Sequence, residues 1–172
     1  MIKHELLTIL LSLLVMGGCA SPATLKADRV ADVQRMADAA AHAYNRPLAR
    51  VLAGDVRDGW VAQYTPNTST IRLSDQALWY PDWLFWRSVS HEIAHHILGH
   101  WTPEPAQEIA ADLEAVVLLQ RFRGMTEHEA TDMIWQSYCN RRWEPQPPPG
   151  HPPNSEKMAA FQVRYGKRSC AR

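Results

Sequence analysis

The segment DWLFWRSVSHEIAHHILG, residues 82–99, contains the motif HEIAH and decides how this chain folds. Apolar residues recur along it at intervals of three and four, which predicts a helix from about residue 83 to residue 98. Gly99 is typical of a helix stop. Because His91 and His95 are four residues apart, they lie one above the other on the same helical face. Their ring nitrogens can therefore meet at one metal ion.

The residue types in this motif favour zinc. Catalytic zinc sites use three protein ligands, often imidazoles, and leave the fourth position to water. Glu92 lies between the two histidines and is placed to take a proton from that water as a general base. The sequence therefore predicts His91 and His95 as ligands of Zn²⁺ and Glu92 as a catalytic residue. The alternative is a surface helix with incidental histidines.

A second amphipathic helix is predicted over residues 104–120, and it offers a third ligand. Glu108 and Asp112 are four residues apart and share one face of this helix. Glu108 can complete a site made of two histidines and one glutamate. Asp112 can accept the free N–H of a ligating histidine and so fix the orientation of its ring. The alternative for Glu108 is a place on the solvated face of the helix.

Other histidines fit the third position less well. The metzincin pattern needs a histidine ten residues after His91, and Trp101 stands there. His100 would be rotated away from the His91–His95 face if each residue of a continuing helix turns by about 100°. We therefore expect His96 and His100 to be polar-face residues or to support a ligand. A second metal site formed by these two histidines is the alternative.

Two motifs in this region together resemble a known family. HEIAHH at residues 91–96 and EIAAD at residues 108–112 are similar to the HExxH and ExxAD motifs of M48-like gluzincin metallopeptidases. Residues 59–74 are similar to the strand–turn–strand that precedes the active helix in those enzymes. The segment from His151 to Lys157 resembles their late His-Pro segment, although arginine is usual in the family where Lys157 stands.

The resemblance implies a zinc-dependent peptidase with a zincin-like fold and a polypeptide substrate. It also implies that His151 lies near the active site. His151 is therefore the first candidate for stabilising the oxyanion that develops during peptide hydrolysis. Tyr138 and Tyr165 are weaker candidates for the same role.

We expect one domain, residues 19–172, of the α+β class: zincin-like and mostly helical, with a short antiparallel sheet beside the active-site helix. Besides the two helices above, helices are expected over 21–44, 126–140 and 155–165, strands over 56–64 and 70–73, and a Pro-rich loop over 144–153. The edge strand, 61–64 or 70–73, would bind substrate backbone by strand addition.

The N-terminal segment predicts export. Residues 1–18 read as a signal peptide, because their apolar run is too short to span a membrane. Met16-Gly-Gly-Cys19 resembles a bacterial lipobox, which predicts cleavage before Cys19 and a lipid anchor on it. Ala20 is not the aspartate that retains lipoproteins at the inner membrane, so we expect the outer membrane, facing the periplasm. The alternative is an ordinary cleaved signal peptide.

The net charge and the cysteine count indicate which partners and which redox compartment to expect. The net charge is zero, so nothing favours a nucleic-acid partner. With Cys19 used for lipid, Cys139 and Cys170 remain as an even pair in an oxidising compartment, which predicts a disulfide. Closing a loop of about 30 residues would stabilise the fold by roughly 3 kcal/mol. The alternative is two buried free thiols.

Two other functions remain open at this stage. One is a non-proteolytic chaperone or assembly lipoprotein that keeps the zincin fold for binding. The other is a purely structural zinc site, in which His100 or His151 takes the fourth position in place of water. Oligomeric state and substrate identity are not encoded in any pattern that we recognise.

Overall fold

The computed structural model describes residues 21–56, 60–140 and 150–170. The elements run in the order α1 (Pro22–Ala43), β1 (Arg50–Ala53), β2 (Ala62–Thr65), β3 (Thr70–Leu73), α2 (Asp82–Leu98), α3 (Pro105–Arg123), α4 (Glu127–Cys139) and α5 (Asn154–Tyr165), with short 3-10 turns at Pro66–Thr68 and Asp75–Trp79. The expected signal peptide, the lipidation of Cys19 and most of the Pro-rich loop lie outside these residues. Within the described part of the chain, no helix has the length and apolar character needed to cross a bilayer.

The helices follow the sequence signals to within a few residues. Helix α2 stops at Gly99, whose φ of 72° is left-handed, as expected of a glycine terminator. Helix α4 begins with a capping box at Thr126, whose side chain exchanges hydrogen bonds with Glu129. Asp82 is the first residue of α2, and its carboxylate pairs with Arg29 of α1.

The sheet is mixed, so the prediction of an antiparallel sheet is wrong for one of its two strand pairs. The strand order is β1-β3-β2; β2 pairs antiparallel with β3, and β1 pairs parallel with it. The prediction that Thr70–Leu73 could be the edge strand is also wrong, because β3 is central and paired on both sides. The substrate-binding edge expected from the sequence can therefore only be β2.

Strand β1 has no signal of its own in the sequence, and α1 supplies what holds it. Gln34 of α1 accepts a hydrogen bond from the Val51 backbone at 2.8 Å and donates one to the Ala49 carbonyl at 2.8 Å. These bonds satisfy backbone groups on the side of β1 that faces away from β3. The sheet is thus closed by α1 at one edge and ends with β2 at the other.

Helix α2 lies at the centre of the packing, in contact with α1, β2, β3, α3 and α4. Its apolar side chains Phe85, Val89, Ile93 and Ile97 are buried in the core. Burying each such side chain contributes about 1.5–3 kcal/mol. This packing fixes the helix on which the two histidines lie.

The last helix is held to the domain by a covalent bond. Cys139 at the end of α4 and Cys170 after α5 form a disulfide, with their Cα atoms 5.5 Å apart. The alternative of two free thiols is therefore wrong for this structure. Disulfides are typical of oxidising compartments.

Candidate metal centre and active site

The two histidines of the HEIAH motif meet on one face of α2. The Nε2 atoms of His91 and His95 are 3.0 Å apart, and both rings are buried. This is the arrangement that a spacing of four residues in a helix produces. The surface-helix alternative is therefore wrong, since surface histidines would not turn the same nitrogen towards a shared buried point.

Glu108 of α3 reaches the same point from the neighbouring helix. Its Oε2 lies 3.3 Å from His91 Nε2, and its Oε1 lies 3.3 Å from His95 Nε2. The side chain is only 3% exposed, so the alternative of a solvated helix face is wrong. One ligand atom from each of the three residues lies within 4.8 Å of the others.

The chemistry of these three side chains fits a metal ion. Burial alone would raise the pKa of Glu108, but His91 and His95 outweigh it and hold that pKa below its usual range. The carboxylate is therefore charged, and its buried Oε2 makes no hydrogen bond but lies 3.3 Å from His91 Nε2 and 4.0 Å from Lys157 Nζ. Buried charges in proteins are paired or coordinate metal ions. The group could therefore hold a metal ion.

Asp112 contacts the His91 ring at Nδ1, the nitrogen that faces away from the shared point. Its Oδ1 lies 2.7 Å from His91 Nδ1, so the Nδ1–H of His91 is donated to the carboxylate and Nε2 is directed to the site. Burial alone would lower the pKa of His91, but Asp112 and Glu108 raise it to about 9. Binding a metal ion at Nε2 must therefore displace a proton from His91 at neutral pH.

A buried lysine and a partly buried arginine balance the charge of Asp112, and the sequence interpretation gave neither of them a role. Lys157 Nζ lies 3.4 Å from Asp112 Oδ2 and 4.0 Å from Glu108 Oε2. Arg87 lies 3.4 Å from Asp112 Oδ1. Burial raises the pKa of Asp112, but Lys157, Arg87 and His91 together hold it well below its usual value. The available signals were the position of Arg87, one helical turn before His91, and the place of Lys157 in the segment that resembles the family's late His-Pro segment.

Glu92 lies beside the metal group and is held by the edge strand. Its Oε2 accepts a hydrogen bond from the Tyr64 backbone N–H at 2.7 Å. That N–H belongs to β2. Because it is donated to Glu92, it is directed away from β3. Glu92, which the motif predicts as general base, thus connects the metal-binding group to the edge strand β2.

The remaining histidines of α2 and its end support the site without forming a second one. His96 donates from Nε2 to the Pro47 carbonyl at 2.8 Å, and its Nδ1 accepts from the Tyr64 hydroxyl at 3.1 Å. Both of its ring nitrogens are used, so the alternative of a second metal site with His100 is wrong. The Nδ1 of His100 lies 2.9 Å from His95 Nδ1, and burial, together with His95, lowers the pKa of His100 to about 4.

His151 is brought to the site, as the resemblance implied. Its Nε2 lies 3.4 Å from Glu108 Oε1, and its ring makes an edge contact with Trp60. A close approach positions this segment: a Cβ on Gly150, whose φ is 92°, would lie 2.2 Å from the Pro103 carbonyl oxygen. Burial lowers the pKa of His151, and its buried Nδ1 has no hydrogen-bond partner.

The two weaker oxyanion candidates lie elsewhere. The Tyr138 hydroxyl donates to Asp112 Oδ2 at 2.9 Å, and the Tyr165 hydroxyl donates to the Leu113 carbonyl at 3.3 Å. Neither residue lines the cavity at the metal group. The sequence alone could not show which of these three side chains reaches the metal-binding group, because that depends on how the last helices pack.

The metal group opens into a cavity of about 280 Å³. The imidazoles and both glutamates line it, and aromatic and proline rings form much of the remaining wall. Its lining residues that matter for the site are His91, Glu92, His95, Glu108, His151 and Trp101. Trp101 is 68% exposed, so the mouth of the cavity is reached from solvent.

Comparison with known proteins gives no relative for this chain: no family model, no curated protein and no solved structure matches it. The function must therefore be inferred from the geometry of the site itself.

Proposed function

We propose that this chain is a zinc-dependent peptidase. The observation that carries the proposal is the convergence of His91, His95 and Glu108 beside Glu92 in the wall of an open cavity. Two imidazoles and one carboxylate form a donor set typical of catalytic zinc, which uses three protein ligands and leaves one position open. When bound there, zinc supplies Lewis acidity for the hydrolysis of a carbonyl group.

The purely structural zinc site is less well supported. It needs a fourth protein ligand, and among the described residues the metal-binding group comprises three. His100 turns its Nδ1 to the Nδ1 of His95, on the opposite side of that ring from the shared point. His151 is in contact with Glu108 but is not part of the three-residue group.

Glu92 is the general base in this proposal. Its carboxylate lies on the residue next to the ligand His91 and is anchored by the Tyr64 backbone. A carboxylate so placed takes a proton from the attacking water and later delivers it to the leaving amine. The anchor leaves the other carboxylate oxygen to face the reacting groups.

The edge strand β2 provides a backbone surface for the substrate. Glu92 uses the Tyr64 N–H, but Ala62, two residues earlier, also directs its backbone groups away from β3, because the pattern alternates along a strand. An extended polypeptide can therefore add to β2 as a further strand, next to Glu92. This favours unfolded or extended segments as substrates.

Removing the metal ion is expected to abolish hydrolysis. We expect the full chain loaded with zinc to cleave an unfolded protein such as casein, and we expect cleavage to stop after chelation and to return with zinc but not with magnesium. Mass spectrometry of the products checks this result. Cleavage that survives removal of all metal, or its absence from the zinc-loaded protein on several unfolded substrates, contradicts the proposal.

Replacing His151 is expected to slow the chemical step. In this proposal His151 donates a hydrogen bond to the negative charge that develops on the carbonyl oxygen, and losing one such donor lowers kcat about 10²- to 10³-fold. We expect His151→Ala to show this loss while zinc content stays unchanged. Tyr165→Phe is the matched control, because its hydroxyl lies outside the cavity. Equal kcat values for His151→Ala and wild type would remove His151 from the mechanism.

A further inference from the structure

The backbone turn at the end of α2 brings His100, the residue after Gly99, back into contact with the last turn of the helix. The N–H of Gly99 bonds to the His96 carbonyl at 3.2 Å, and the N–H of His100 bonds to the His95 carbonyl at 3.0 Å. With Gly99 in the left-handed region, this is the Schellman motif. In this motif the residue after the glycine, here His100, contacts the last turn of the helix.

That contact is made with a metal ligand. The rings of His100 and His95 have centroids 5.0 Å apart and are steeply inclined, and their two Nδ1 atoms are 2.9 Å apart. A side chain following a Schellman turn usually makes an apolar contact with the helix. Here two polar ring nitrogens meet instead, so one must donate a hydrogen and the other must accept it.

The metal site decides which nitrogen donates. His95 directs Nε2 to the shared point with His91 and Glu108, so a bound metal takes the Nε2 lone pair and the ring proton is on Nδ1. The Nδ1 of His100 must then accept, and the proton of the His100 ring must be on Nε2. Resting on the proposed metal site, we propose that His100 is the positioning residue for His95, fixing its tautomer and ring orientation.

The two ligand histidines are thus held by different partners. His91 donates to the Asp112 carboxylate, which Arg87 and Lys157 balance with positive charge. His95 donates to an uncharged imidazole on the loop that follows α2. This loop also lines the cavity, through His100 and Trp101. The partner of His95 is therefore part of the cavity wall.

The affinity for zinc tests the proposal without any assay of hydrolysis. Losing the hydrogen-bond partner of a ligand lowers metal affinity about 10- to 100-fold. We expect that loss in His100→Ala of the full chain, measured by competition with a chromophoric chelator. His100→Gln should recover most of the affinity, because its amide oxygen can accept the same bond. His128→Ala is the control, since His128 is on the surface of α4, paired with Asp132.

Cobalt(II) in place of zinc distinguishes positioning from direct ligation. A positioning role predicts the same visible absorption spectrum for cobalt-saturated wild type and His100→Ala, at different affinities. A changed spectrum at saturation means that His100 is itself a ligand and overturns the proposal. Equal affinities for wild type and His100→Ala overturn it as well.

The wild-type protein offers a test that does not depend on the folding of a variant. In the ring-nitrogen NMR spectrum of the zinc-loaded protein, Nδ1 of His95 should be protonated and Nδ1 of His100 should not. The opposite assignment overturns the proposal while leaving the metal site intact. Failure of the wild-type chain to bind zinc or cobalt would instead overturn the proposed function itself.

Discussion

Glu92→Gln is expected to lower the rate of peptide hydrolysis about 10²- to 10⁴-fold, the range that general-base catalysis contributes. Zinc content should not change, because Glu92 is not one of the three side chains that form the metal group. The fold should also persist, since the amide oxygen of glutamine can still accept the hydrogen bond from the Tyr64 backbone that Glu92 accepts now. The expected result is a folded, zinc-loaded and inactive protein.

Single-turnover cleavage of an unfolded substrate, together with elemental analysis, measures both parts of this result. Glu104→Gln is the matched control, because Glu104 lies before α3 on the exposed surface. A Glu92→Gln protein that cleaves at the wild-type rate would show that another group is the base.

The same variant separates the peptidase from the non-proteolytic chaperone. If neither wild type nor Glu92→Gln cleaves, and both suppress aggregation of an unfolded protein equally, the chain uses its cavity for binding alone. If the wild type cleaves and the variant only binds, the peptidase interpretation stands.

Glu108→Ala is expected to have the second large effect, the loss of the metal ion. Its carboxylate oxygens lie 3.3 Å from the Nε2 atoms of both ligand histidines. Losing a partner that only supports a ligand costs about 10- to 100-fold in affinity, so losing a direct ligand should cost more than about 100-fold. Hydrolysis should fall with metal occupancy.

The fold should tolerate this substitution. Asp112 stays in contact with Lys157, Arg87 and His91 after Glu108 is removed, so no buried charge is left without its partner. Glu114→Ala is the matched control on the same helix, because the Glu114 carboxylate accepts from the Tyr44 hydroxyl and is not part of the metal group. Thermal unfolding of the metal-free proteins checks that both variants are folded.

The helices could be predicted because each carries local signals. Helices α2 and α4 have apolar residues at helical intervals and a glycine stop or a capping box. The parallel pairing of β1 with β3 could not, because β1 has four residues and is held by Gln34 from a distant helix. Pairing across such distances depends on tertiary packing, which a local pattern does not contain.

The two histidines of the metal-binding group were predictable because they are one turn apart on α2, and Glu108 was a candidate because it shares one face of the next helix with Asp112. His100 was expected on the polar face or in support of a ligand, but its contact with His95 could not be located, because the helical angle of about 100° per residue holds only to the end of the helix. Helix α2 ends at Leu98, and the turn at Gly99 brings the His100 ring back to His95. Arg87 and Lys157 were given no role, because charge balance around Asp112 exists only in three dimensions.

The zinc stoichiometry of the purified full chain tests the central claim most directly. The claim is that His91, His95 and Glu108 bind one metal ion together. The predicted result is one zinc per chain for the wild type and for Glu114→Ala, and little or none for Glu108→Ala at the same free zinc concentration. Undiminished zinc in Glu108→Ala, or none in the wild type, would contradict the account.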